Sequence, residues 1–274
     1  MSNDALSSFE TKWTLAHPEL PLALRFVSPP MRTFVSAFAC LTFEVSHAAF
    51  HIVEPEVART KLHWWAEEFS ALASGKPRHP LTEALANWKP MAELSADMWS
   101  AVVVGAMAQR ESVPASSLAG LLDSFRRLHE PLAAIESALY PRLDLNASAQ
   151  AAALSRAVHE TGWMAEALAR DRLPLPLDLL ARHQLSRADL GQPGDRRDAA
   201  MREHLAALAA SMRSIDRRGL SPLTAAELQA AQKRGARAAR AADPLAECAG
   251  KLDRLPLSSV WASWRAARRM QASA

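Results

Sequence analysis

Three side chains in the first fifth of the chain have types and spacing that can do chemistry. Glu44, His47 and His51 lie three and four residues apart, so a helix would carry them on one face. A carboxylate with two imidazoles can hold a transition metal or move a proton. Bundles that bind two metals through Glu-x-x-His carry a second copy on another helix, and Glu44–His47 stands alone in this chain. No metal is therefore expected; the three are read as polar residues lining a cavity or a partly solvated face. Further on, His159-Glu160 either faces Glu44 across a bundle or lies on the surface, and the pattern leaves both open. Arg170-Asp171 adds a cation and an acid. Trp64-Trp65 reads as packing. No glycine-rich phosphate loop appears, and no Ser-His-Asp order can be singled out.

The elements that must position these residues are helices. Alanine, leucine and arginine are abundant and Val-Ile-Thr runs are scarce, which predicts an all-α protein; even Ala101–Val104 sits inside a longer helical pattern. Phe34, Phe38, Leu41, Val45 and Ala48 recur at helical spacing. Pro55 then opens a second helix carrying Val57, Leu62, Trp65 and Phe69, antiparallel to the first. Residues 1–30 read as an irregular lead-in closed by Pro29-Pro30. Helices are predicted over Leu81–Trp88, Met91–Arg110 and Ala115–Leu139, with Pro131 kinking or restarting the last. Asn146 is the predicted cap of a helix to Arg170, with Leu154, Val158, Met164 and Leu168 inside. Another covers Arg196–Arg217, and a capping box at Thr224–Glu227 starts the next. Residues 256–274 form a basic amphipathic terminal helix, with Leu257, Val260, Trp261 and Trp264 on one side and Arg265, Arg268 and Arg269 close by. That apolar stripe is expected to dock on the bundle; the alternative is peripheral contact with a membrane surface. No repeat and no long polar linker divides residues 1–274, so one domain is expected.

Several of these residues also carry a resemblance. Arg32–Phe38, the face Glu44–Ala48, Lys61-Leu-His-Trp-Trp65, Gly75 and His79-Pro80 resemble the opening of the squalene/phytoene synthase family. The run Leu173–Leu180 and His183–Asp189 resembles the segment after its second acidic motif. The resemblance implies a single-domain helical bundle of isoprenoid-synthase type around a central cavity. It also implies a prenyl transferase that joins two prenyl diphosphates head to head, with Mg²⁺ held by two D-x-x-x-D motifs on facing helices. At the first motif this chain has Glu44 and Ala48. At the second, Met164–Asp171 resembles the pattern: Arg170 and Asp171 match, Met164 and Ala167 replace amides, and Leu175 stands where the next acid belongs. These departures imply a catalytically degenerate member without a cofactor. Such a protein would bind an isoprenoid or another lipid, or act as an assembly or partner protein. Two alternatives remain: an active Mg²⁺-dependent prenyl transferase of terpenoid biosynthesis using Glu44, Asp171 and Glu160 or Glu166, and a helical interaction protein with no ligand.

Charge and cysteines narrow the classes further. The net charge of +3 is too small to point to nucleic acid, but it is uneven: from Asp195 onward there are 15 Lys/Arg against 8 Asp/Glu. Cys40 and Cys248 show neither a disulfide framework nor metal spacing. With no signal-like start and no apolar run of about 20 residues, the expected location is cytoplasmic, peripheral at the membrane if the last helix binds one.

Overall fold

The computed structural model describes residues 2–17, 20–111, 113–250 and 257–271. Among these the chain is helical throughout, with no strand. In order, the helices are α1 (Ser2–Ala16), α2 (Leu20–Leu24), α3 (Arg32–Phe50), α4 (Pro55–Ala73), α5 (Pro80–Ala86), α6 (Lys89–Ala92), α7 (Ala96–Arg110), α8 (Leu118–Glu136) and α9 (Leu145–Gly162). They continue as α10 (Met164–Ala169), α11 (Leu177–Arg182), α12 (Asp195–Arg213), α13 (Pro222–Ala238), α14 (Pro244–Ala249) and α15 (Leu257–Gln271).

Local chemistry explains where they begin. The side chains of Ser95, Ser117, Asp144, Ser221 and Asp243 accept hydrogen bonds from the first free N–H groups of α7, α8, α9, α13 and α14. Pro55, Pro80, Pro222 and Pro244 occupy first helical positions, where the missing N–H costs nothing. Three expected boundaries shift for this reason. Asp144 caps α9, not Asn146; Ser221 caps α13, three residues ahead of the expected Thr224; and Ser95 splits the expected Met91–Arg110 helix into α6 and α7. The expected helix to Arg170 breaks at Trp163 into α9 and α10.

The lead-in is a further correction. It is largely helical, as α1 and α2, because Trp13, Leu20, Ala23 and Val27 bury themselves against the bundle despite the prolines around them. α3 runs through the middle, touching α1, α2, α4, α5 and α7; α9 packs on α8, α12, α13 and α14. Together with the turn before it, α3 spans Pro29–Phe50 and is long and apolar enough to cross a membrane, contrary to the expectation from the sequence, but 67% of that window is buried within the bundle. A smaller core joins Met164, Leu175, Leu179, Leu180, Leu190, Ala200 and Met201.

One corner of the fold rests on a single acid. Glu68 of α4 is fully buried and accepts bonds from the backbone N–H groups of Arg78 and His79 (2.8 and 2.9 Å) and from Thr82 Oγ1 (2.5 Å). It thereby ties the segment leading into α5 to α4, while the His79 side chain accepts from the Leu81 N–H and caps α5 itself. The rings of Trp64, Trp65 and His79 close over the same corner, with centroids 5.0–5.4 Å apart. The Trp-Trp and His-Pro residues are therefore packing elements of one helix corner.

The α7–α8 crossing is just as tight. Pro131 lies inside α8 and has no N–H to give the Arg127 carbonyl four residues back. Gly105 of α7 sits against that carbonyl, and a Cβ there would lie 2.3 Å from the oxygen. Replacing Gly105 with Ala should therefore force the two backbones apart and lower the unfolding free energy by about 1–3 kcal/mol in urea denaturation. An unchanged midpoint would show that the crossing has slack.

Candidate functional site

Glu44 emerges from α3 on the side facing α1 and α4. It is 4% exposed, and Lys12 of α1 and Lys61 of α4 each place Nζ 2.5 Å from one of its carboxylate oxygens. Burial pushes the Glu44 carboxyl up, but the two lysine hydrogen bonds outweigh it and hold the group below the usual carboxylate range. The acid is thus ionised and doubly neutralised. Ala48, one turn further, is fully buried.

Beyond Glu44 the rings form a chain: His47 to His51 at 5.9 Å, His51 to His159 at 5.6 Å and His51 to Trp163 at 5.0 Å between centroids. Burial first, then neighbouring cations, lower His47 and take His51 down to about 2, so both imidazoles are neutral. Fully buried Glu160 lies 3.6 Å from His51 Nε2 and 3.5 Å from an Arg156 guanidinium nitrogen, both longer than a hydrogen bond. Burial pushes the Glu160 carboxyl up, and Arg156, Arg172 and Arg170 only partly offset it. Arg170 and Arg172 donate to the Phe50 carbonyl (2.7 and 3.1 Å), and Arg110 donates to the Ile52 carbonyl (2.8 Å). Arg156 and Arg172 also lie over the Phe50 ring, at 4.7 and 5.0 Å. The C-terminal end of α3, negative by its peptide dipoles, is capped by arginines.

Of the seven candidate residues, His51, His159 and Glu160 come together, with one ligand atom from each within 4.8 Å of the others. That settles the open position of His159-Glu160: both face the bundle. Glu44 does not join them. Asp171 is furthest away in character: its side chain is 97% exposed, its φ is 58°, and it pairs with Arg187 at 2.7 Å. Glu166 is exposed as well. Leu175, where the second acid belongs, is buried in the smaller core.

These residues do not fit a magnesium cluster. Mg²⁺ needs converging oxygen ligands. Here one acid is consumed by two lysines, another is ringed by guanidiniums, the third points to solvent, and both replaced positions are buried and apolar. The His51–His159–Glu160 trio has the spacing for a softer metal, but three arginines beside Glu160 oppose a divalent cation there.

The central cavity holds about 110 Å³ and lies between α1, α3, α8, α9 and α13. None of the seven candidates lines this cavity; Glu160 and Asp171 line a smaller one beside Arg172 and Leu173, and His159 lines another beside Ser155 and Arg234. Trp13, Phe38, Phe43, Leu132 and Leu223 form its apolar wall; Glu136 and Arg156 are its ionisable groups, and His129 adds a neutral imidazole. Burial pushes Glu136 up to about 7, against a Ser221 hydrogen bond and with help from Glu227. Sequence reasoning missed these residues and Lys12, and read Lys61 only as part of the family resemblance. Arg156 alone carried a readable signal, as the i, i+4 partner of Glu160.

Known proteins place this architecture. A squalene synthase, HpnC from Alicyclobacillus acidocaldarius, superposes with a TM-score of 0.65 at 14% identity, covering 85% of this chain and 91% of its own. A dehydrosqualene synthase solved in complex with a ligand superposes with a TM-score of 0.67 at 10% identity, covering 100% and 98%. At such identities these likenesses define the fold: an all-α, isoprenoid-synthase bundle. The squalene/phytoene synthase family matches residues 16–246, and the chain belongs to it. No curated protein sequence matches the chain.

Buried histidines make the bundle sensitive to acid. Burial takes His129 down to about 3 and His204 to about 4. A depressed folded value means that the stabilisation is present above the ordinary histidine range and is lost as pH falls towards the folded value. Between pH 6.5 and 5, the His129→Leu variant should lose about 2 kcal/mol less unfolding free energy than the parent. Parallel losses in the two proteins would show that His129 titrates normally.

Proposed function

We propose that this chain is a squalene/phytoene-synthase-like protein that does not ionise prenyl diphosphates and works by binding, as an assembly or partner protein. The supporting observation is the Glu44 carboxylate, which is held between Lys12 and Lys61. Ionising a diphosphate requires divalent cations to gather and neutralise it as it leaves. The surviving acid of the first motif already has two cations of the protein's own, and Ala48 and Leu175 offer no oxygen. The partner reading leads over ligand binding on size. The cavity between α1, α3, α8, α9 and α13 holds about 110 Å³, well below the ~300 Å³ at which small-molecule pockets begin, and the larger space of about 570 Å³ between α7 and α8 is an open surface groove away from the candidate residues.

A second reading, that the chain binds an isoprenoid or another lipid, is favoured by the cavity wall. Trp13, Phe38, Phe43, Leu132 and Leu223 suit a branched hydrocarbon, and Arg156 at its edge suits an anionic head. This reading requires the cavity to widen around the chain.

The decisive experiment incubates the purified protein with farnesyl or geranylgeranyl diphosphate and Mg²⁺. Pyrophosphate release should stay at the level of a protein-free control, and release well above it would overturn the proposal in favour of an active transferase. Native mass spectrometry of the same preparation separates the two binding readings. A bound lipid of isoprenoid mass supports the second; a bare monomer mass supports the first.

A further inference from the structure

The terminal helix docks the opposite way round from the expectation. Ser259, Ser263, Ala266 and Ala267 are buried, and the helix packs on α13 and α2. Three of its larger apolar residues point outward, Leu257 85% exposed, Trp261 57% and Trp264 40%, whereas Val260 is half-buried and Met270 packs on the core. Arg265 and Arg268 share that outer stripe. An amphipathic helix on a bundle normally buries its most apolar side. Here small residues make the internal contact, and two indoles are left in water.

The outer stripe is organised. The Arg265 guanidinium lies 4.4 Å from the centre of the Trp261 ring, and that of Arg268 lies 5.5 Å from that of Trp264. Each ring therefore carries a cation beside it on the surface. Within Leu257–Gln271 there are three arginines and no acid. Arg217 adds a fourth cation: Arg269 donates to its backbone carbonyl, and Arg265 lies close enough to lower the Arg217 pKa after burial has done so. Positive charge thus gathers around exposed tryptophans with no acid on the helix to offset it.

We propose that the Leu257–Trp261–Trp264 stripe of α15, with Arg265 and Arg268, docks the protein on an anionic lipid bilayer. The chemistry matches each part of the stripe. Indoles prefer the boundary between headgroups and acyl chains, and arginines beside them reach lipid phosphates. The stripe runs along the outer side of one helix, which suits a plane. Its positive charge, unrelieved by any acid on the helix, finds its complement in an anionic leaflet. The basic C-terminal part of the chain, with 15 Lys/Arg against 8 Asp/Glu from Asp195 onward, adds a long-range attraction of the same sign. This inference is independent of whether a partner protein or a lipid occupies the rest of the molecule.

The test is flotation of the full chain with phosphatidylcholine vesicles prepared with and without phosphatidylglycerol. The protein should float with the anionic vesicles, stay behind with the neutral ones, and be released by high salt. The Arg265→Ala/Arg268→Ala variant should partition about thirtyfold less, roughly fivefold for each arginine. Trp261→Ala/Trp264→Ala should also fail to float. Because these side chains are exposed, thermal unfolding should be unchanged in both variants, and Arg268→Glu serves as a further check should either fold poorly. The proposal is overturned if the chain ignores anionic vesicles or if the variants float as well as the parent. It is equally overturned if the variants instead dissociate a vesicle-independent dimer, which would assign the stripe to a second copy of this chain.

Discussion

A carboxylate taken out of water must be neutralised, and how that is done at Glu44 shapes the centre of this protein. Its two oxygens each meet an ammonium group, one from α1 and one from α4. Removing a carboxylate from solvent costs several kcal/mol unless a partner of opposite charge comes with it. In a metal-dependent bundle that partner is a divalent cation held by several acids. Here it is a pair of side chains that fold with the protein, so the charge is settled before any ligand arrives. The same contacts also fasten α1 to α3, drawing what looked like an irregular lead-in into the bundle.

The second buried acid is treated in the same way. Glu160 lies among Arg156, Arg170 and Arg172, and two of these arginines also finish α3 by donating to the Phe50 carbonyl. The imidazole beside it, His51, is kept neutral by burial and by those cations, so it adds no charge to a crowded layer. Where acids would have been needed for a metal cluster, Ala48 and Leu175 are packed into the two cores. An acid returned to either position would be buried against hydrocarbon with no cation assigned to it. The departure from the two acidic motifs is therefore built into the packing as well as into the residue types.

Much of this was legible beforehand. Helical periodicity located α3 and α4 because their apolar spacing is regular and long, and the family resemblance came from residues whose roles are largely structural. Glu68, Trp65 and His79 form the corner between α4 and α5, and a corner depends on residues close together in the sequence. Helix starts were misplaced by two or three residues where an Asp or Ser slightly upstream offered the better cap, as at Asp144 and Ser221. The site was less legible because its decisive partners are remote. Lys12 is 32 residues from Glu44 and Lys61 is 17, and no spacing rule joins three different helices. Asp171 misled for the opposite reason: its neighbour Arg170 matches a motif, but the chain turns through a positive φ there and sends the carboxylate to solvent.

The terminal helix shows where pattern reading reaches a physical limit. Periodicity reveals that α15 has two different sides, and the usual inference sends the more apolar side inward because burial of large side chains stabilises most. That inference assumes that the receiving surface has room for them. α15 packs along α13, a helix rich in alanine. Close approach of two helix backbones favours small residues on both, and Ser259, Ser263, Ala266 and Ala267 provide them. Many short contacts along a tight crossing then offset what two exposed indoles lose. The face left outside is the one with the chemistry of a lipid interface, so the orientation of this helix follows from the fit between two surfaces and not from the hydrophobicity of one.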